Sequence, residues 1–172
     1  MKLPVAVAAG VVFSILGANC VASSAKPAAE YAKHLDALSV LSIAVAQSMP
    51  GDQYSFRPHP ESMTFGELML HIAGTNYAFC AGLKDSAPPD TPSPAATDKD
   101  AVVKLLTGSF DYCSGVIPNL TDQQLSLAHD SPDGRLPGRE ILLAMYVHVA
   151  HHRGQAEIYL RDKGIKPPSY RI

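Results

Sequence analysis

Charge is scarce in this sequence. Asp, Glu, Lys and Arg make up 17% of its 172 residues, and 14 basic against 16 acidic side chains give a formal net charge of -2. No run of Lys and Arg occurs and no aromatic residues are interleaved with them, so the footprint of a nucleic-acid-binding surface is missing. Neither GxxxxGK nor GxGxxG is present, which removes the glycine-rich loops that cradle nucleotide phosphates. No internal repeat is found, and no stretch alternates with a period of two for long enough to make a convincing strand. Cysteine is limited to Cys20, Cys80 and Cys113.

What is abundant is apolar, at 47%, and part of that excess is local. Lys2 is followed by an apolar run from Leu3 to Ala18 and then by small residues, Ala22-Ser23-Ser24-Ala25. A basic start, a short apolar stretch and a small-residue site predict a secretory signal peptide over residues 1–25. The run is shorter than the roughly 20 residues that span a bilayer, so no permanent membrane span is expected. Cys20 does not read as a lipoprotein site, because Asn19 stands where a small residue is required. The expected product is a periplasmic or secreted protein, residues 26–172, long enough for one domain with a hydrophobic core.

Periodicity and punctuation predict four helices. The first runs from about Ala28 to Ser48 and stops before Pro50-Gly51. Thr64 and Glu67 have capping-box spacing and start a second helix, about Phe65 to Leu83. Lys84 to Thr97 holds four prolines and reads as a linker. Asp98 caps a third helix to about Ile117, Thr121 and Gln124 form a second capping box, and His129 to Leu136 reads as an irregular loop. Pro137 suits the first turn of the last helix, which Gly164 terminates. The expected fold is all-α, a four-helix bundle in which sites are built from side chains on facing helices.

The inward stripe of the last helix reads Ile141, Met145, His148, His152, Ala156 and Tyr159. Two imidazoles thus occupy core positions one turn apart, with their rings on one face. Burying two adjacent imidazoles among aliphatics is costly unless something binds their nitrogens, and a divalent metal does so well. His71, between Leu68 and Thr75 on the second helix, is the third candidate ligand, with a satisfied core histidine as its alternative. His151 is either a ligand in its own right or an outer partner of the pair. His34 is read as a boundary residue, and His59 and His129 are assigned no role. Arg153 and Arg161 are read as solvated surface or loop-pairing residues, and Phe56-Arg57-Pro58 as a connection packing over the bundle end, with the border of a substrate pocket as its alternative.

The string His148-Val149-Ala150-His151-His152-Arg153-Gly154-Gln155 resembles the HxxxHRGQ signature of the DinB/YfiT-like superfamily. Phe65 to Ala73 is similar to that family's first-ligand helix, and Tyr159-Leu160-Arg161 with Gly164 to Pro168 fits its C-terminal end. The resemblance covers about Ala28 to Ser169. It implies up-down-down-up topology and a divalent metal, zinc or nickel, held by His71, His148 and His152. Some relatives are thiol-dependent transferases or isomerases that use cytosolic low-molecular-weight thiols; the export signal here departs from them. The parallel second and third helices implied by that topology would put Cys80 and Cys113 at one level, so a disulfide between them is expected, with two buried thiols as the alternative.

The function expected first is an exported metal-dependent enzyme, a hydrolase or thiol-dependent transferase acting on a small molecule. His151, Gln155 and Glu67 are the candidates to orient the ligands, since a metal-bound imidazole needs an acceptor for its other nitrogen. A non-catalytic metal-binding protein and a plain helical interaction domain are the alternatives. The sequence leaves the substrate open, and the oligomeric state too, a homodimer included.

Overall fold

Four long helices carry most of residues 28–170, the part of the chain that this computed structural model describes; the expected signal peptide lies outside the described residues. α1 is Ala28–Ser48, α2 Phe65–Gly82, α3 Lys99–Val116 and α5 Gly138–Asp162, with a short α4 at Asp122–Ser126. The predicted start and stop signals are used. The Thr64 hydroxyl accepts from Glu67 N, and the Glu67 carboxylate accepts from Thr64 N at 2.6 Å. Thr121 and Gln124 close the same box on α4, and the Asp98 side chain caps α3. Gly164, at φ +71°, ends α5 in the left-handed region while Ile165 N reaches back to Leu160 O.

Specific contacts fix the helix directions. Asn76 donates to Ser109 Oγ, Tyr77 stacks near Tyr112 and Cys80 is bonded to Cys113, so α2 and α3 advance together and are parallel. Against α5 the order reverses: Phe65 meets Tyr159, His71 meets His152 and Phe79 meets His148. α1 runs opposite to α3, because Lys99 Nζ at the start of α3 donates to Gln47 O and Met49 O at the end of α1. This cation also satisfies carbonyls that the helix end leaves open. The crossover between the parallel helices is the proline-rich segment, which presses so closely on α2 that a Cβ at Gly66 would lie 1.7 Å from Ala96 O.

One expectation fails. The segment read as an irregular loop forms a two-stranded antiparallel hairpin, β1 Ala128–Ser131 with β2 Gly134–Pro137. Its strands are four residues each, and in β1 only His129 is buried. The hairpin is held by its ladder and by a polar anchor, so it offers no apolar alternation to read. His129 Nδ1 contacts Asp85 Oδ1 at 2.9 Å and its Nε2 contacts Gln124 O at 2.8 Å. The hairpin is thereby docked on the C-terminal end of α2, where a Cβ on Gly82 would clash with Asp130 O.

The core runs the length of the bundle through Leu35, Phe65, Ile72, Phe79, Leu106, Phe110, Ile141 and Leu160. Both half-cystines are fully buried, with Cα atoms 5.5 Å apart. Among the described residues, no helix is long and apolar enough to cross a membrane.

Candidate metal centre

His71 projects from α2, and His148 and His152 project one turn apart from α5, toward the same point. His71 Nε2 lies 2.9 Å from His148 Nε2 and 3.1 Å from His152 Nε2. All three side chains are half-buried, and together they form a group that could hold a metal ion. Two nitrogens bound at ~2.1 Å to one ion stand about 3.0 Å apart at a right angle and about 3.4 Å apart at a tetrahedral one. The observed spacings fit a common ion, with the right angle closer.

Protons alone cannot satisfy the cluster. A neutral imidazole offers one N–H and one lone pair, so His71 Nε2 cannot serve two neighbouring Nε2 atoms equally. The outer nitrogens show how the conflict resolves. Thr75 donates its hydroxyl proton to His71 O at 2.8 Å, leaving its oxygen to accept from His148 Nδ1 at 3.3 Å. His152 Nδ1 sits 2.8 Å from the amide oxygen of Gln155, another acceptor. Both rings of α5 are therefore held as Nδ1–H tautomers with their Nε2 lone pairs directed inward. That is the arrangement a ligating imidazole requires.

Electrostatics act in the same direction. Burial first, then the neighbouring His152 and His71, lower the His148 pKa to about 4. His152 is lowered as well, mainly by burial and against the opposing bond to Gln155. Both stay neutral, the form that binds metal, through the physiological range.

Beside the cluster opens a cleft of about 410 Å³, walled by His152, Gln155, Leu68, Met63, Ser62 and Tyr159, among others. Tyr159 donates to Met63 O at 2.8 Å and meets Phe56 edge to face. The Phe56-Arg57-Pro58 connection thus packs over this end of the bundle, and Pro58 borders the cleft.

Comparison with known proteins settles the family. The profile of the DinB superfamily matches residues 34–156. The chain belongs to the DinB superfamily. It is 30% identical over 124 residues to the uncharacterized protein YjoA of Bacillus subtilis (strain 168), covering 70% of this chain and 80% of that protein. The crystal structure of that DinB-like protein superposes with a TM-score of 0.70 at 23% identity, over 83% of this chain and 98% of the other. A DinB-like protein from Bacillus cereus gives 0.65 at 17% identity, over 82% and 95%. A conserved protein from Enterococcus faecalis gives 0.65 at 18%, over 79% and 96%. These structural likenesses concern the fold.

Within this DinB-family site the sequence-predicted residues separate. His71, His148 and His152 are brought together. Gln155 touches His152 directly, and its amide nitrogen continues to His151 Nε2 at 3.1 Å, so the exposed His151 stands one residue further out. Glu67 is engaged elsewhere, in the α2 cap and 3.6 Å from Arg57; its pKa is lowered chiefly by the bond to the Thr64 backbone. Thr75 was given no role by sequence reasoning. Its signal was there: it lies four residues after His71 on the same face, where a hydroxyl can meet a ring from the facing helix. Arg153, read as a solvated surface or loop-pairing residue, is only 7% exposed, with its guanidinium against the Tyr170 ring. His129 is the other omission, a buried anchor in a segment with no helical pattern.

Proposed function

We propose that this DinB-family chain is an exported metal-dependent enzyme, a hydrolase or thiol-dependent transferase acting on a small molecule. The observation that carries the reading is the convergence of three imidazole Nε2 atoms, two of them with an acceptor on Nδ1, at the edge of an open cleft. A divalent ion held by His71, His148 and His152, zinc or nickel on the family resemblance, would supply Lewis acidity toward a water or a thiol. Three neutral ligands leave such an ion its full charge and leave coordination positions free. Thr75 and Gln155 orient His148 and His152, and Leu68, Met63 and Tyr159 provide an apolar wall against which a substrate is positioned. The cleft favours this reading over a purely structural ion, which would be enclosed by protein.

Export rests on residues 1–25 and agrees with the Cys80–Cys113 bond, which belongs in an oxidising compartment. An exported enzyme would not meet the reduced thiols of the cytosol, so hydrolysis ranks ahead of thiol transfer.

The test is elemental analysis of untagged protein, wild type beside a His148→Ala/His152→Ala variant, followed by a visible spectrum of the cobalt-loaded wild type. Near-stoichiometric metal lost in the variant, and a cobalt spectrum that changes on adding azide or 2-mercaptoethanol, are expected. Absence of metal after reconstitution with zinc, nickel and manganese would overturn the metal site. A spectrum indifferent to both probes would overturn the open, catalytic reading in favour of a carried or structural ion. Amino-terminal sequencing of the exported product checks cleavage after Ala25.

A further inference from the structure

Arg153 presents an electrostatic problem unrelated to the histidines. Its side chain is 8% exposed, yet Nε and Nη1 have no hydrogen-bond partner among the described residues. The nearest carboxylate, Glu157, stands 4.0 Å from Nε, beyond hydrogen-bond reach. Glu157 also faces Arg161 Nη2 at 3.6 Å. Two guanidinium groups therefore share one acid, and one positive charge is left over. A buried cation with unfilled donors is costly unless an anion fills them.

An apolar groove of about 230 Å³ runs alongside, between α1 and α5, walled chiefly by Ala37, Leu38, Leu41, Val147, Ala150 and Tyr170. The two features meet at Tyr170. Its ring borders the groove and also lies 4.9 Å from the Arg153 guanidinium carbon. The opposite end of the groove is different. There Tyr146 donates to Tyr31 O. Among the described residues, a cation stands only beside the Tyr170 end, so an anion is favoured there and the groove has a direction. The histidine on its wall, His34, is exposed.

We infer that this groove binds a straight-chain aliphatic carboxylate, its head group on Arg153 Nε and Nη1 and its tail along α1 and α5. At ~30 Å³ for each water-sized group, the volume accommodates about eight such groups, the size of a medium-chain fatty acid. Tyr170, 58% exposed and beyond Pro167-Pro168, is the side chain that turns to admit the head group. The carboxylate supplies the acceptors that Glu157 is too distant to provide, and the tail covers an apolar face that includes Val147, itself 60% exposed.

Titration calorimetry of the full chain with sodium octanoate tests this. One saturable site is expected, with octanol and octylammonium at least tenfold weaker. Arg153→Gln should weaken octanoate by about tenfold to a hundredfold, the worth of charge-assisted hydrogen bonds. Because that residue is buried, Val147→Glu at an exposed position gives a second test: it should weaken octanoate and not octylammonium. Metal content should be unchanged in both variants, which separates this site from the histidine cluster. The inference is overturned if octanoate does not saturate, or if octylammonium binds as well as octanoate. It is also overturned if wild type sediments as a dimer that Val147→Glu dissociates, since the groove would then be covered by a second copy.

Discussion

Replacing Thr75 by valine tests the proposed metal centre at a residue that does not itself ligate. The substitution keeps the branched shape between α2 and α5 and removes the oxygen that accepts from His148 Nδ1. Loss of an orienting partner of a ligating imidazole typically lowers metal affinity ~10–100-fold, which is about 1.4–2.7 kcal/mol. The metal-free protein should barely notice, because the hydroxyl's own bond is to a carbonyl of its own helix. Such back-bonding contributes little to a helix, so the change in unfolding free energy should stay below about 1 kcal/mol. Serine keeps the oxygen and should retain affinity to within about threefold, on the same orienting logic. The assay is a zinc titration in competition with a chromophoric chelator on wild type, Thr75→Val and Thr75→Ser, with thermal unfolding of each metal-free protein. Long-range proton–nitrogen NMR of the metal-free forms adds an independent reading, since wild-type His148 should carry its proton on Nδ1. Equal affinity for valine and serine variants would refute the reasoning. So would a valine variant whose metal-free form is destabilised by as much as its metal binding is weakened.

In the metal-free protein, burial and the neighbouring imidazoles hold His148 at about 4 and burial lowers His152. Unfolded imidazoles gain protons below about pH 6.5 while these do not, so stability should fall as pH drops below that value; for His148 the fall continues toward about 4, by up to ~1.4 kcal/mol per pH unit. Urea unfolding across that range checks it, and a flat profile would count against the buried neutral pair. His129 behaves oppositely: burial pulls its pKa down, but the bonds to Asp85 and to the Gln124 carbonyl outweigh that and raise it. The folded state then holds a proton that the unfolded chain has released above about 6.5. This contribution is complete below that pH and is lost as pH rises through the raised value, and Asp85→Asn should remove the loss. The Cys80–Cys113 bond closes a separation of 33 residues, and chain entropy assigns such a loop about 3–4 kcal/mol. A Cys80→Ala/Cys113→Ala variant should lose about that much in denaturant, and alkylation of unreduced wild type should label neither cysteine.

What the sequence made legible was whatever local periodicity encodes. The helix starts at Thr64, Asp98 and Thr121 depend on a side chain and the amides within one turn of it, and they are where spacing places them. His148 and His152 were legible for a similar reason, since an i, i+4 pair on a core stripe conflicts with burial unless something binds it; His71, alone on its helix, joined them only through the family resemblance. The hairpin was not legible, because four-residue strands stabilised by one buried histidine have no apolar rhythm. Nor was the burial of Arg153, which depends on where the chain after Pro168 returns, not on any helical pattern. Thr75 and Glu67 exchanged importance for the same kind of reason. Which of two polar residues reaches a ring is decided by the facing helix, and α5 passes Thr75 while the cap engages Glu67.

The position of His71 follows from a chain of constraints remote from it. A proline-rich crossover long enough to travel the length of the bundle allows α3 to run parallel to α2. Lys99 ties the start of α3 to the end of α1, and the close approach at Gly66 fixes the start of α2 against the returning strap. At the other end of α2, Cys80 is bonded to α3 and His129 docks the hairpin beside Asp85. α2 is thus anchored at both ends, with His71 between the anchors and nine residues, roughly 13 Å of helix, from Cys80. Under the proposed metal centre, a ligand so placed would be preorganised by the fold, which would reduce the ordering that an ion must impose on binding. The same separation means that cutting the disulfide should act on the stability of the bundle first. It should act on the histidine cluster only as far as α2 as a whole becomes free to shift.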